Sequence, residues 1–120
     1  MASKVFKLTS AASTNLQPVA PMERVSLTGY EIVNTSAAAE FVKLYWGAPG
    51  SFSSSGDKPT VGTDVPNITI QIPTVAAVRQ SYSSPVTGTG MLYMATTTGA
   101  ADGNSTAVAA GDLVISLFWE

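Results

Sequence analysis

Proline and glycine recur along this chain at short intervals, so its regular elements must be short. The 120 residues include seven Pro and ten Gly. Apolar side chains nowhere repeat at helical spacing for more than two turns, whereas several segments alternate apolar and polar residues. Alternation with a period of two is the pattern of a β-strand with one buried face. The sequence therefore predicts an all-β protein.

The alternation is clearest in the segment between Pro66 and Pro73, where Ile68, Ile70 and Ile72 are separated by polar residues. β-branched residues at alternate positions are typical of a half-buried strand. Other segments follow the pattern less regularly. The predicted strands are residues 4–9, 24–34 with a bulge near Gly29, 40–46, 67–72, 75–82, 91–98 and 113–119.

The last predicted strand differs from the others because both of its faces are apolar. Leu113, Ile115 and Leu117 lie on one face, and Val114 and Phe118 lie on the other. Strands with two apolar faces are usually covered on both sides. We therefore expect this strand to be central in its sheet or to lie at a subunit interface.

Seven or eight short strands at this spacing are typical of a single-domain β-sandwich with jelly-roll or immunoglobulin-like topology, and a barrel is the alternative. A chain of this length suits one domain. Residues 1–21 are interpreted as an N-terminal strand followed by an arm or linker, and residues 22–120 as the sandwich. Residues 47–62 are predicted to form a long surface loop. Residues 99–112 are predicted to form a loop or one helical turn.

The composition excludes several classes of function. Six Lys and Arg against eight Asp and Glu give a net charge of −2, so the chain lacks a basic footprint for nucleic acid. It contains neither Cys nor His, which removes thiol chemistry and the commonest general base and metal ligand. We expect no catalytic site, no cofactor and no metal. Only 12% of residues are charged while 45% are hydrophobic, which favours a surface partly covered by copies of the same chain.

Membrane and export signals are not expected either. No apolar run approaches the roughly 18 residues that spanning requires. Lys4 and Lys7 precede no apolar stretch that resembles the core of a signal peptide. We expect synthesis in a reducing cytoplasm.

One acidic segment resembles the start of a calcium loop. Asp102, Asn104 and Thr106 carry oxygen ligands at alternate positions, but the Glu that completes such a loop is missing. A turn in which Asp102 and Asn104 bond to the backbone is the favoured interpretation. Asp57 and Asp64 are interpreted as turn residues in the same way.

Most aromatic residues lie in predicted strands and are expected in the core. Phe52 is different because it stands alone in a loop rich in Ser and Gly. A large apolar side chain in that setting is either a loop anchor or a contact to another chain. Trp46, Phe52 or Tyr82 could alternatively serve as a stacking platform for sugars, which would make the chain a carbohydrate-binding module of a fibre or tail.

Several segments resemble a family of small proteins of tailed bacteriophages. In residues 27–38 (LTGYEIVNTSAA) a strand ends at Asn-Thr-Ser, and the next strand carries residues 41–45 (FVKLY). Residues 59–66 (PTVGTDVP) lead into the strand of residues 68–73, and residues 106–117 resemble the family's closing strand. The resemblance covers the chain from about residue 25 to residue 119. The chain departs from it in two places, residues 75–82 and the N-terminal extension of residues 1–21.

The resemblance implies a virion-associated structural protein, and we expect a capsid decoration, or cement, protein made in the host cytoplasm and placed on the capsid surface. Its expected partners are the major capsid protein and copies of itself, as a homotrimer, with no nucleic acid and no membrane. The N-terminal segment is expected to add a strand to a neighbouring chain. The partner-contact residues predicted on this basis are Lys4, Phe6, Leu8 and Phe52.

Overall fold

The computed structural model describes residues 4–53 and 56–120, and they form eight β-strands. Residues 1–3 of the predicted N-terminal segment lie outside the described residues. The strands are β1 (Lys4–Thr9), β2 (Gln17–Pro18), β3 (Ser26–Asn34), β4 (Glu40–Gly47), β5 (Ile68–Ile72), β6 (Ala76–Thr87), β7 (Met91–Thr97) and β8 (Leu113–Trp119). The prediction of an all-β sandwich is confirmed. The described part of the chain contains no helix long and apolar enough to cross a membrane.

The strands form two four-stranded antiparallel sheets. The sheet with order β1-β8-β3-β6 is called the front sheet, and the sheet with order β2-β7-β4-β5 is called the back sheet. Every connection except β4–β5 passes from one sheet to the other. Two four-stranded sheets joined in this order have the topology of a jelly roll. β8 lies between β1 and β3, so the prediction that it is a central strand is confirmed.

A bulge in β3 lets this strand keep its apolar residues in the core. The pairing with β6 and β8 shifts register between Leu27 and Gly29, at the predicted bulge. Leu27 and Ile32 are both fully buried although they differ in parity along the chain. A Cβ at residue 29 would lie 2.5 Å from the carbonyl oxygen of Gln80, so only glycine fits at this close approach.

The core fills the space between the two sheets. Trp46 contributes both its ring and a hydrogen bond from Nε1 to the carbonyl oxygen of Val25, at 3.1 Å. Burying these side chains is the main stabilising contribution to a sandwich of this kind. The fully or almost fully buried aliphatic residues are Val25, Leu27, Ile32, Val42, Leu44, Ile70, Ile72, Leu92, Met94, Val108, Leu113, Ile115 and Leu117.

The N-terminal segment is built into this sandwich. β1 pairs with β8 along its whole length, from Lys4 opposite Trp119 to Thr9 opposite Val114. The two-residue strand β2 pairs with β7, and Val19 lies in the core. The segment predicted as a strand followed by an arm thus supplies one strand to each sheet.

One other strand differs from its predicted form, and one segment takes the first of the two forms predicted for it. β6 continues to Thr87, whereas a turn was expected from residue 83, because the strand bulges over residues 82–85 and then pairs with β3 again. Residues 98–112 form a loop without a helical turn. Val108 of this loop is buried in the core, which holds the loop against the sandwich.

Candidate functional site

The outer surface of the front sheet is the candidate site, and it is called the open face. The strand registers fix which side chains it carries. Three rows cross the strands in the order β1, β8, β3, β6. The first row is Val5, Phe118, Gly29 and Ser81; the second is Lys7, Ser116, Glu31 and Arg79; the third is Thr9, Val114, Val33 and Ala77.

The first and third rows make the open face unusually apolar. Val5 is 58% exposed and Phe118 is 37% exposed, and they lie directly opposite each other on β1 and β8. Val33 and Val114 are paired in the third row and are partly exposed. The solvent side of an antiparallel sheet normally alternates to polar residues. Exposed apolar residues on that side make this face a candidate contact surface.

The middle row adds charge to the open face. Arg79 and Glu31 form an ion pair between β6 and β3, and Lys7 lies on β1 in the same row. The side chains of Arg79 and Glu31 are 78% and 39% exposed, so their pairing contributes at most about 1 kcal/mol to stability. Exposed charges between apolar rows act mainly on the orientation and specificity of a bound partner.

Three of the four predicted partner-contact residues lie on or near the inner side of β1. Phe6 and Leu8 pack against the core. Lys4 places Nζ 4.6 Å from the centroid of the Trp119 ring and 3.4 Å from Oε1 of Glu23. The Lys4 side chain is 55% exposed, whereas Phe6 and Leu8 are partly buried, and contact of the three residues with another chain stays a prediction.

The fourth, Phe52, is a loop anchor in this fold. It is only 8% exposed, and its ring meets that of Tyr93 edge to face at 5.9 Å between centroids. Tyr93 in turn donates a hydrogen bond from Oη to the carbonyl oxygen of Asp57. Of the two interpretations given to Phe52, the structure supports the anchor.

The acidic loop that resembled a calcium site is held by a lysine. Nζ of Lys43 donates hydrogen bonds to the carbonyl oxygens of Ala101 and Asn104, at 2.7 and 2.9 Å. Oδ1 of Asn104 accepts from the backbone N–H of Thr106, which is the predicted turn. Desolvation lowers the pKa of Lys43, and the charge of Asp102 opposes this effect. No group of three or more acidic side chains that could hold a metal ion occurs among the described residues.

Asp64 also has a structural role. Its two carboxylate oxygens accept the backbone N–H groups of Ser53 and Thr60, at 2.8 and 2.7 Å. Burial raises the pKa of Asp64, but these hydrogen bonds outweigh it, so the pKa lies below its ordinary value. The carboxylate ties together two parts of the loop between β4 and β5.

One pair of carboxyl groups lies close together at an end of the sandwich. Glu40 is 4% exposed, and its Oε1 has no hydrogen-bond partner among the residues that the structure describes. Burial, followed by a hydrogen bond to Asp112 and the charge of Asp112, raises the pKa of Glu40 to about 7. Of the two residues, Glu40 is buried and Asp112 is partly exposed.

The stacking platform considered from sequence is not formed. Trp46 and Phe52 are only 9% and 8% exposed. Tyr82 lies on β6 of the front sheet and contacts Tyr30 at 6.3 Å between ring centroids. The three rings therefore do not share an exposed surface.

The sequence patterns did not predict which residues form the open face, although they contained a signal for such a surface. Val5 and Phe118 alternate with Phe6 and Leu117, so both faces of their strands are apolar and the alternation does not show which one is inside. The signal in the sequence was that β8 is apolar on both of its faces. It indicated a covered outer face without identifying the residues around it.

Comparisons with known proteins add little. A scan against protein-family models found no matching model, and a search of curated proteins found no match. A search of solved structures found similarity to a chain described as the crystal structure of PirA. The two chains share 11% identity with a TM-score of 0.45, over 98% of this chain and 93% of that one. Similarity at this level supports no conclusion about function.

Proposed function

We propose that this chain is a structural protein of a bacteriophage virion that decorates the capsid, with the open face as its contact surface. The observation that carries the proposal is that the exposed pair Val5 and Phe118 and the partly exposed pair Val33 and Val114 share one sheet face. The resemblance of the sequence to small tailed-phage proteins supports the location on a virion. The molecule is a slab of 35 × 35 × 20 Å, a shape that suits a protein lying flat on a shell.

The size of the open face favours attachment through several copies. Four strands about 4.8 Å apart and about six residues long present roughly 400 Å². A standard interface buries about 800 Å² on each partner. One face therefore supplies about half of a standard contact, and a homotrimer that presents three faces at once would gain avidity.

The proposal assigns the chain no catalytic role. The sequence has no Cys and no His. Glu40 is buried beside the partly exposed Asp112, and Asp64 is occupied by backbone N–H groups. These observations support an action through surface fit, with the major capsid protein as partner.

The deciding experiment measures copy number and attachment together. Quantitative mass spectrometry of purified virions should find the chain in hundreds of copies, and particles lacking it should bind the purified chain. A double variant, Val5→Ser with Phe118→Ser, should bind these particles at least tenfold more weakly. Met22→Ser is the matched control, because Met22 is an exposed apolar residue away from the open face.

Two outcomes would contradict the proposal. One is the absence of the chain from virions, or its presence in only tens of copies, as in a tail or fibre. The other is unchanged attachment of the double variant. A carbohydrate-binding module of a fibre or tail is the second candidate, and it needs a site other than the unformed aromatic platform.

A further inference from the structure

Lys7 is an exposed lysine in the middle row of the open face. Its neighbours along β1, Phe6 and Leu8, pack against the core, so the Lys7 side chain points to the solvent side of the sheet. The register places it opposite Ser116 of β8. Alternate residues of a strand are about 7 Å apart, so an apolar row lies at about that distance on each side of it. A molecule that covers both apolar rows therefore also approaches the amino group of Lys7.

The other two charges of the middle row satisfy each other. Arg79 and Glu31 form an ion pair between β6 and β3. Glu31 lies two strands away from Lys7, which is about 10 Å at the usual strand spacing. Lys7 forms no ion pair with the residues that the structure describes. The open face therefore carries one unpaired positive charge, on a chain whose net charge is −2.

This unpaired charge restricts what the open face can bind. A contact that covers the apolar rows also removes water from Lys7, and an ammonium group that loses water without gaining a negative partner weakens the complex. Two open faces packed on each other would hold two such charges of the same sign. A carboxylate on the partner would offset the lost water and would fix the orientation of the contact. The charge thus favours an acidic partner surface over a second open face.

We propose that the capsid surface under the open face is apolar and carries a carboxylate that pairs with Lys7. This inference rests on the proposed function and adds the chemistry of the partner to it. Val5 and Phe118 supply the apolar contact, and Lys7 sets the orientation in which the chain attaches. The charges of Glu31 and Arg79 already cancel, so this pair requires no counter-charge from the partner.

The test measures the attachment of purified variants to particles that lack the chain. Lys7→Glu should weaken attachment at least about tenfold, because two carboxylates then face each other. Lys7→Met keeps the apolar part of the side chain and should weaken attachment about threefold or more, because the partner carboxylate loses its counter-charge. Without a carboxylate opposite Lys7, the methionine variant would attach equally well or more tightly, since no ammonium group has to lose water.

A matched control separates the position of the charge from its sign. Lys58 is an exposed lysine in the loop between β4 and β5, which covers the other sheet. Lys58→Glu changes the net charge of the chain by the same amount as Lys7→Glu, and it should leave attachment unchanged. Both Lys7 variants should keep the unfolding midpoint of the unmodified chain, because the Lys7 side chain is exposed and forms no ion pair within the fold.

The salt dependence of attachment gives a second readout. Raising the ionic strength from about 0.1 M to about 1 M shortens the Debye length from about 10 Å to about 3 Å. Attachment of the unmodified chain should weaken over this range, whereas attachment of Lys7→Met should depend less on salt. Equal salt dependence in the two chains would contradict a charge pair at Lys7.

The charge pair and the capsid role can fail separately. If Lys7→Glu attaches as well as the unmodified chain while the Val5 and Phe118 double variant does not, the charge pair is rejected and the contact surface is retained. Failure of the unmodified chain to attach would reject both proposals. A change in sedimentation of Lys7→Glu with unchanged attachment would assign Lys7 to a contact between copies of the chain, which would also overturn the inference.

Discussion

The outer faces of the two sheets have similar amino acids but opposite surroundings. On the back sheet, the outward residues Lys43, Tyr45, Tyr93 and Ala95 are buried, because residues 48–53, 56–67 and 98–112 of two loops fold over them. On the front sheet, Val5 and Phe118 are exposed. The chain therefore covers one apolar sheet face with its own loops and leaves the other uncovered.

The contrast is sharpest between Phe52 and Phe118. Phe52 belongs to a covering loop and packs on Tyr93, whereas Phe118 lies on the open face beside Gly29. Apolar area that a fold leaves in water contributes nothing to its stability by burial. The outer face of the front sheet therefore carries apolar residues, as a buried sheet face does, but no loop among the described residues covers them.

Removing Phe52 should have the largest effect on stability. Phe52→Ala takes away the ring that holds the β4–β5 loop on Tyr93, and we expect the free energy of unfolding to fall by about 3 to 4 kcal/mol. Urea unfolding followed by tryptophan fluorescence measures this value. Phe118→Ala is the matched control and should change it by less than about 1 kcal/mol. Equal losses of unfolding free energy in the two variants would show that the covered face and the open face contribute equally to stability.

The pH dependence of stability should come from the end of the covering loop of residues 98–112. The pKa of Glu40 is raised to about 7 in the fold, above its ordinary 4.5, so the fold favours the protonated carboxyl. This contribution is fully present below pH 4.5 and is lost as the pH rises through 7. Between pH 5 and pH 8 the free energy of unfolding should fall by about 2 to 3 kcal/mol.

Urea midpoints at pH 5 and pH 8 measure this effect. Glu40→Gln should remove most of the difference and should stabilise the protein at pH 8, because no second negative charge then forms beside Asp112. Glu31→Gln, on the open face, should retain the full pH dependence. A free energy of unfolding that does not change between pH 5 and pH 8 in the unmodified chain would contradict the assignment of this pH dependence to Glu40.

Replacing Lys43 should destabilise the covering loop of residues 98–112 more than it destabilises the back sheet. Lys43→Met keeps the buried hydrocarbon part of the side chain but removes both hydrogen bonds to residues 101 and 104. We expect a loss of about 1 to 2 kcal/mol, confined to the loop. Hydrogen exchange should be about tenfold faster or more over residues 98–106. Lys7→Met is the control on the open face, and any comparable change there would contradict this explanation.

These expectations depend on contacts that the sequence shows only in part. The alternation of apolar residues predicted β1, β5 and β8 closely, because their core faces have a period of two. It did not predict β2, since two residues cannot show a period. It ended β6 too early, because the bulge at residues 82–85 breaks the pattern before the strand resumes.

The candidate site was harder to predict for a physical reason. A lysine within a strand normally indicates the solvent side, yet Lys43 is fully buried by a loop almost 60 residues later in the chain. Phe6 and Val5 are both apolar, so composition does not show which of them faces the core. Both distinctions arise from long-range packing, which local sequence patterns do not record.

The double variant on the open face should have the smallest effect on stability and the largest effect on attachment. Val5→Ser combined with Phe118→Ser removes side chains that are 58% and 37% exposed, so the unfolding free energy should fall by only about 1 kcal/mol. Under the proposed function, attachment to capsids should weaken at least tenfold, because the proposed complex buries the part of this area that the fold leaves exposed. Measuring both quantities on one preparation separates a contact surface from a folding surface. A double variant that unfolds more easily but still decorates particles would show that the front sheet serves the fold alone.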